Sequence, residues 1–161
     1  MKKILLFVFY IAISCQVSTV KAQGNADALM KQGQEFLANK EYVKARSTFL
    51  HAFNAFVAKG QSDKATYCGT RVASLYYREN YYKEAFDILR AADQCIVQGE
   101  QRNNSQRPDL RYATTKERLQ MYTRMRKASS AAEQINRLDA YANAAANDSL
   151  NKDLLYTKAS H

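Results

Sequence analysis

From about residue 26 onward, apolar and small residues are grouped into helical segments that short polar turns separate. The segments pair into three helical hairpins, at about 26–59, 62–97 and 108–146, followed by a terminal helix at about 149–158. Turns are expected near Asn39-Lys40, near Asn80 and near Ala128-Ser129. This pattern predicts an all-α chain.

Residues that typically begin or end helices lie at the boundaries of these predicted segments. Gly60 follows the first hairpin as a C-cap glycine does, and Ser62 is a suitable helix start. Gly99 is expected to end the second hairpin, at the start of a polar loop over 98–107. Pro108 then stands at a first helical position, where proline is tolerated because that position needs no N–H donor.

Composition agrees with a helical, well-packed domain. Hydrophobic residues make up 47% of the 161 residues, which is enough to build a core and argues against wholesale disorder. A single proline and five glycines leave little of the turn chemistry that a β protein needs. The eleven tyrosines suit half-buried helix seams, where the ring packs and the hydroxyl stays in water.

Small, aliphatic and aromatic residues recur at corresponding positions of the hairpins. The first hairpin supplies Leu29, Gly33, Phe36, Ala45, Phe49 and Ala52. The second supplies Ala73, Tyr76, Ala85, Leu89 and Ala92, with Gly69 as a weaker match. The third supplies Tyr122, Ala131, Ile135 and Leu138, with Leu119 where a small residue is expected. Over about residues 26–146, this pattern resembles the tetratricopeptide repeat (TPR) family.

The resemblance implies a right-handed superhelical array of about three TPR-like hairpins plus a short C-terminal helix. The repeats are stretched, because Ala45, Ala85 and Ala131 are 40 and then 46 residues apart, whereas the family repeat has about 34. The family's usual Trp and closing Pro are also missing. The alternative is an ordinary helical bundle with alanine-rich seams. The segment from Asn151 onward is either a capping helix or the opening of a fourth hairpin.

The resemblance also implies a binding groove along the first helices of the hairpins. Its positions map onto Asp27, Met30, Gln34 and Leu37 in the first hairpin, Tyr67, Thr70, Ser74, Tyr77 and Arg78 in the second, and Lys116, Gln120 and Arg124 in the third. The Lys and Asn positions with which the family holds chaperone tails are not filled. Tyrosine and arginine carry much interface energy, so we expect a peptide or protein partner, with an acidic end complementing the basic far end.

The N-terminus has the pattern of a cleaved secretory signal. Lys2 and Lys3 precede an apolar run over 4–13, and small or aliphatic residues at Val20 and Ala22 suit cleavage after Ala22. The apolar run is short for a membrane span, which needs about 20 residues, so an uncleaved anchor is the weaker alternative. We therefore expect an exported protein, periplasmic or associated with the bacterial envelope.

A lipoprotein signal is a further alternative. Residues 12–15 resemble a lipobox in which Cys15 would be lipidated, although Ala12 replaces the usual leucine. Contact with a membrane is expected only in this lipid-anchored form.

The chain is basic. Cleavage after Ala22 removes three positive and no negative side chains, which lowers the net charge from +9 to +6. The stretch from Arg102 to Lys127 carries eight positive and two negative side chains. Because an exported protein does not routinely meet nucleic acid, we expect acidic partners, anionic envelope components or a solvated helix face instead.

No pattern in the sequence indicates catalysis, a metal or a cofactor. His51 is expected to be half-exposed on a helix, His161 is the last residue, and neither has Cys, Asp or Glu neighbours in a ligand spacing. The glycines are too scattered for a phosphate-binding loop. Neighbouring charges such as Lys116-Glu117 are interpreted as solvated helix faces. We expect no enzyme.

Cys68 and Cys95 remain after signal removal and form an even pair in an oxidising compartment. Their midpoint is close to the turn near Asn80, so the two residues lie on facing helices of one hairpin. A disulfide between them is one expectation, and two small buried thiols are the other.

Two functional hypotheses follow. The first is an exported TPR-type adaptor or scaffold that binds a protein or peptide. The second is a stand-alone or truncated sensory input domain, because exported TPR arrays resemble the periplasmic halves of some membrane-spanning histidine kinases and regulators.

Overall fold

The computed structural model describes residues 25–160, and this range contains seven helices and no strand. The helices are α1 (25–38), α2 (Tyr42–Ala58), α3 (Ser62–Arg78), α4 (Tyr82–Asn103), α5 (Pro108–Arg124), α6 (Ala128–Ala145) and α7 (Asp148–Ala159). The prediction of an all-α chain is confirmed. The predicted signal segment and Cys15 lie outside the described residues.

Neighbouring helices pack in pairs. The most extensive contacts join α3 to α4, α5 to α6 and α2 to α3, while α5 also packs on both α3 and α4, and α6 packs on α7. Each hairpin therefore rests on the preceding one. Among the described helices, none is both long and apolar enough to cross a membrane.

One turn geometry recurs at four helix ends. In each turn the backbone carbonyl of an aromatic residue accepts the N–H of the residue five positions later, as in Gln61 to Phe56 at 3.0 Å and Tyr81 to Tyr76 at 3.0 Å. The residue directly before the N–H donor adopts a positive φ, which is 65° at Gly60 and 67° at Asn80. This is the Schellman pattern, which satisfies helix-end carbonyls that have no partner within the helix. The other two turns have the same bond at Phe36 and Tyr122.

The second and third hairpins differ in detail from the sequence prediction. Helix α4 continues to Asn103, through most of the predicted loop, and Gly99 lies buried inside it. A Cβ at Gly99 would lie 2.7 Å from the Ser62 hydroxyl oxygen, so this glycine permits close packing of α3 on α4 instead of ending the helix. The third turn precedes Ala128, which begins α6.

The core divides into three clusters along the array. The first centres on Phe49, Phe53 and Phe56 between the first two hairpins. A Cβ at Gly33 would lie 2.9 Å from the Phe49 ring, so the small residue there lets α1 approach α2. The second cluster contains Leu89 and Met121, and the third contains Tyr112, Leu119, Leu138, Ala142 and Leu154. These clusters hold the first helix of each hairpin in a fixed position relative to the next hairpin.

Candidate binding groove

Side-chain hydrogen bonds link the odd-numbered helices in series. Gln34 Nε2 on α1 donates to the Tyr67 hydroxyl on α3 at 3.0 Å. The Tyr77 hydroxyl on α3 donates to Gln120 Oε1 on α5 at 2.5 Å. Lys116 Nζ on α5 lies 2.5 Å from Asp153 Oδ1 on α7. We call the surface that these contacts run along, on α1, α3, α5 and α7, the odd-helix face.

The predicted groove residues differ widely in exposure. Gln34, Arg78, Gln120 and Arg124 are exposed. Met30 and Leu37 are half-buried and pack against the first core cluster. The remaining half-buried positions are Asp27, Tyr67, Thr70, Ser74 and Lys116. The hydroxyl groups of Thr70 and Ser74 donate to carbonyls of their own helix at 2.9 Å, so they already have partners.

Tyr77 is the most buried of the predicted groove residues. Its exposed fraction is 9%, and its ring belongs to the second core cluster. Burial, followed by the nearby charge of Glu117, raises the pKa of Tyr77 to about 12. This tyrosine therefore joins α3 to α5 beneath the odd-helix face and offers little surface to a partner.

Glu117 is withdrawn from solvent, contrary to its interpretation as part of a solvated charged face. Its Oε2 atom is buried and finds no hydrogen-bond partner in the range 25–160. Burial raises the pKa of this carboxyl to about 7, and the charge of Arg71, the Tyr77 hydroxyl and Lys116 oppose that shift. The packing of α3 on α5 removes this side chain from water. The charged pair Lys116-Glu117 in the sequence gives no sign of that burial.

The odd-helix face continues onto α7. A cleft of about 250 Å³ lies between α5 and α7, and Leu119 is its buried apolar member. Tyr156 lines the cleft with 79% of its surface exposed. The sequence assigned no binding residues to this helix, because the third hairpin was the last whose positions matched a repeat. The remaining lining residues are Lys116, Gln120, Asp153, Thr157 and Ser160.

Cys68 and Cys95 are buried in the first core cluster, and their sulfur atoms are not bonded to each other in this structure. Burial raises the pKa of Cys68 to about 12, and burial also raises the pKa of Cys95. Thiols with raised pKa values are poor nucleophiles. A disulfide between them stays a prediction.

Within the described part of the chain, no group of three or more His, Cys, Asp or Glu side chains is arranged to hold a metal ion. His51 is exposed on α2, more than the half-exposed position expected for it. Glu117, whose carboxyl pKa is raised to about 7, lies beside Tyr77 and Arg71. Tyrosine and arginine side chains are prominent around it.

No protein-family model, curated protein or solved structure matches the chain.

Proposed function

We propose that this chain is an exported adaptor or scaffold of the bacterial envelope that binds a protein or peptide along its odd-helix face. The observation that carries the proposal is the series of hydrogen bonds from Gln34 to Tyr67, from Tyr77 to Gln120 and from Lys116 to Asp153. These bonds hold four helices in register. A preorganised surface loses less entropy on binding than a flexible one.

The chemistry of the face also suits a polypeptide partner. Exposed Arg78, Arg124 and Tyr156 belong to the residue types that contribute most to protein interfaces. A surface that extends across four helices suits an extended segment better than a compact small molecule, which prefers an enclosed pocket.

The proposal includes the architecture. The repeated Schellman turn after aromatic residues and the close approach of Gly33 to Phe49 support a tetratricopeptide-type, right-handed superhelical stack. The proposal of export depends on the basic and apolar pattern of residues 2–22 and on the site after Ala22.

A paired-variant binding experiment tests the proposed surface. Gln34→Ala with Arg124→Ala removes two exposed groups of the odd-helix face, and His51→Ala with Arg90→Ala removes two exposed groups of α2 and α4. We expect the first variant to bind its partner from an envelope extract about tenfold more weakly than the unaltered protein. The second should bind normally.

Recovery is measured by quantitative mass spectrometry after cross-linking, with circular dichroism to verify that both variants are folded. Equal recovery of the same partners by all three proteins would contradict the assignment of the odd-helix face.

A further inference from the structure

Two lysines of the odd-helix face already have acidic partners. Lys64 Nζ on α3 lies 2.6 Å from Asp27 Oδ1 on α1. Lys116 Nζ on α5 lies 2.5 Å from Asp153 Oδ1 on α7. Both pairs bridge successive odd-numbered helices. These two lysines therefore hold the face together, and an incoming anion would have to displace an aspartate to use either of them.

The arginines of the same face are in a different situation. In the described range, no carboxylate forms an ion pair with Arg71, Arg78 or Arg124, and all three are exposed. The Arg78 guanidinium lies 4.2 Å from the centroid of the Tyr42 ring, and that of Arg71 lies 5.2 Å from the centroid of the Tyr67 ring. Arg124 Nη2 donates to the Arg78 carbonyl at 3.3 Å. Ring faces and the backbone thus position these groups without a carboxylate partner in residues 25–160.

The three arginines surround one place on the face. The charges of Arg78 and Arg124 both act on the Tyr77 hydroxyl, which they reach from α3 and α5. Arg71 acts in the same way on Glu117, which in turn interacts with Tyr77. Arg71 and Arg78 on α3 and Arg124 on α5 therefore lie at the junction of these two helices, where Arg124 is bonded to the Arg78 backbone and the charge of Arg71 acts on Glu117.

We propose that Arg71, Arg78 and Arg124 recognise carboxylate side chains of an extended acidic peptide segment, while Lys64 and Lys116 serve only to join the helices. The inference rests on the proposed function, and it identifies the cations that select the partner. A guanidinium binds a carboxylate through two parallel N–H bonds, which an ammonium cannot do. A guanidinium already held against a tyrosine ring loses less rotamer entropy when it does so.

Selection from a library of short random peptides displayed on phage tests the inference. We expect binders of the mature protein to be enriched in Asp and Glu, with a Kd about tenfold weaker for each arginine replaced by glutamine. Triple replacement of Arg71, Arg78 and Arg124 by lysine keeps the charge and should still weaken binding. The matched control, Lys44→Gln with Lys83→Gln, removes two exposed charges of α2 and α4 and should retain the acidic preference, with circular dichroism verifying the fold of each variant.

The outcomes separate this inference from the proposed function. Selected peptides without acidic enrichment, or acidic peptides that bind the triple lysine variant equally well, would overturn the inference and leave the binding function in place. No selected peptide at all would contradict both. Tighter binding of a single-stranded DNA oligomer through the same arginines would also overturn the inference, because phosphates would then be the preferred anions.

Discussion

Replacing Phe49 with alanine is expected to lower the free energy of unfolding by about 3–5 kcal/mol. The Phe49 side chain has an exposed fraction of 0%. Its ring lies against Gly33 of α1 and makes an edge contact with the Tyr67 ring of α3, with the ring centroids 6.3 Å apart. The substitution would thus leave a cavity where three helices meet, and part of the support of Tyr67 on the odd-helix face would be lost.

Urea unfolding followed by circular dichroism measures this effect. Val43→Ala is the control, because Val43 lies on the same helix with 64% of its surface exposed, and its truncation should change stability by less than about 0.5 kcal/mol. If Phe49→Ala lowered the free energy of unfolding by no more than Val43→Ala does, Phe49 would not be packed in the first core cluster as the structure shows.

The second large effect concerns Glu117. Its pKa is about 7 in the folded protein, against a usual value of 4.5, so the folded state holds this proton more tightly than the unfolded chain. The stability contribution of Glu117 is therefore greatest below pH 4.5, falls as the pH rises from 4.5 to 7, and stays low above pH 7. Arg71, Lys116 and the Tyr77 hydroxyl favour the charged form, and burial outweighs them.

Glu117→Gln should remove this pH dependence. Because glutamine is never charged, the variant should be more stable than the unaltered protein by about 2–3 kcal/mol above neutrality and nearly equal to it in acid. The measurement is urea unfolding of both proteins at an acidic and an alkaline pH.

Glu100→Gln is the control with the opposite sign. The side chain of Arg111 and the backbone N–H of Arg107 bond to Glu100 and lower the pKa of its carboxyl, although burial works against them. Its stabilising contribution is present above its usual pKa and is lost as the pH falls, so the substitution should destabilise the protein at alkaline pH. If Glu117→Gln behaved in the same way as Glu100→Gln, the environment assigned to Glu117 would be wrong.

The helices were predictable because their ends carry local signals. Gly60 and Asn80 tolerate the positive φ that a Schellman turn requires, and Pro108 suits the first turn of a helix. Asn147 accepts from the N–H groups of Ser149 and Leu150 as an N-cap. The prediction that Gly99 ends a helix was wrong, because a glycine at a helix end and a glycine at a close helix contact look the same in the sequence. Only the packing of Ser62 against Gly99 distinguishes the two cases.

The site was less predictable, because burial and pairing depend on residues distant in sequence. Lys116 and Glu117 are neighbours in the chain, yet one pairs with Asp153 on α7 and the other is buried beside Tyr77 on α3. The resemblance to the repeat family placed Tyr77 in the groove beside Arg78, whereas the packing of α5 covers it. Arg71 was missed because no position in the repeat pattern corresponds to a groove contact there.

Binding along the odd-helix face is tested most directly by a map of backbone amide chemical-shift changes, recorded as a library-selected peptide saturates the protein. We expect the largest changes on α1, α3, α5 and α7, near Gln34, Tyr67, Arg78 and Arg124. Changes concentrated on the exposed surface of α2 and α4, around His51 and Arg90, would contradict this expectation.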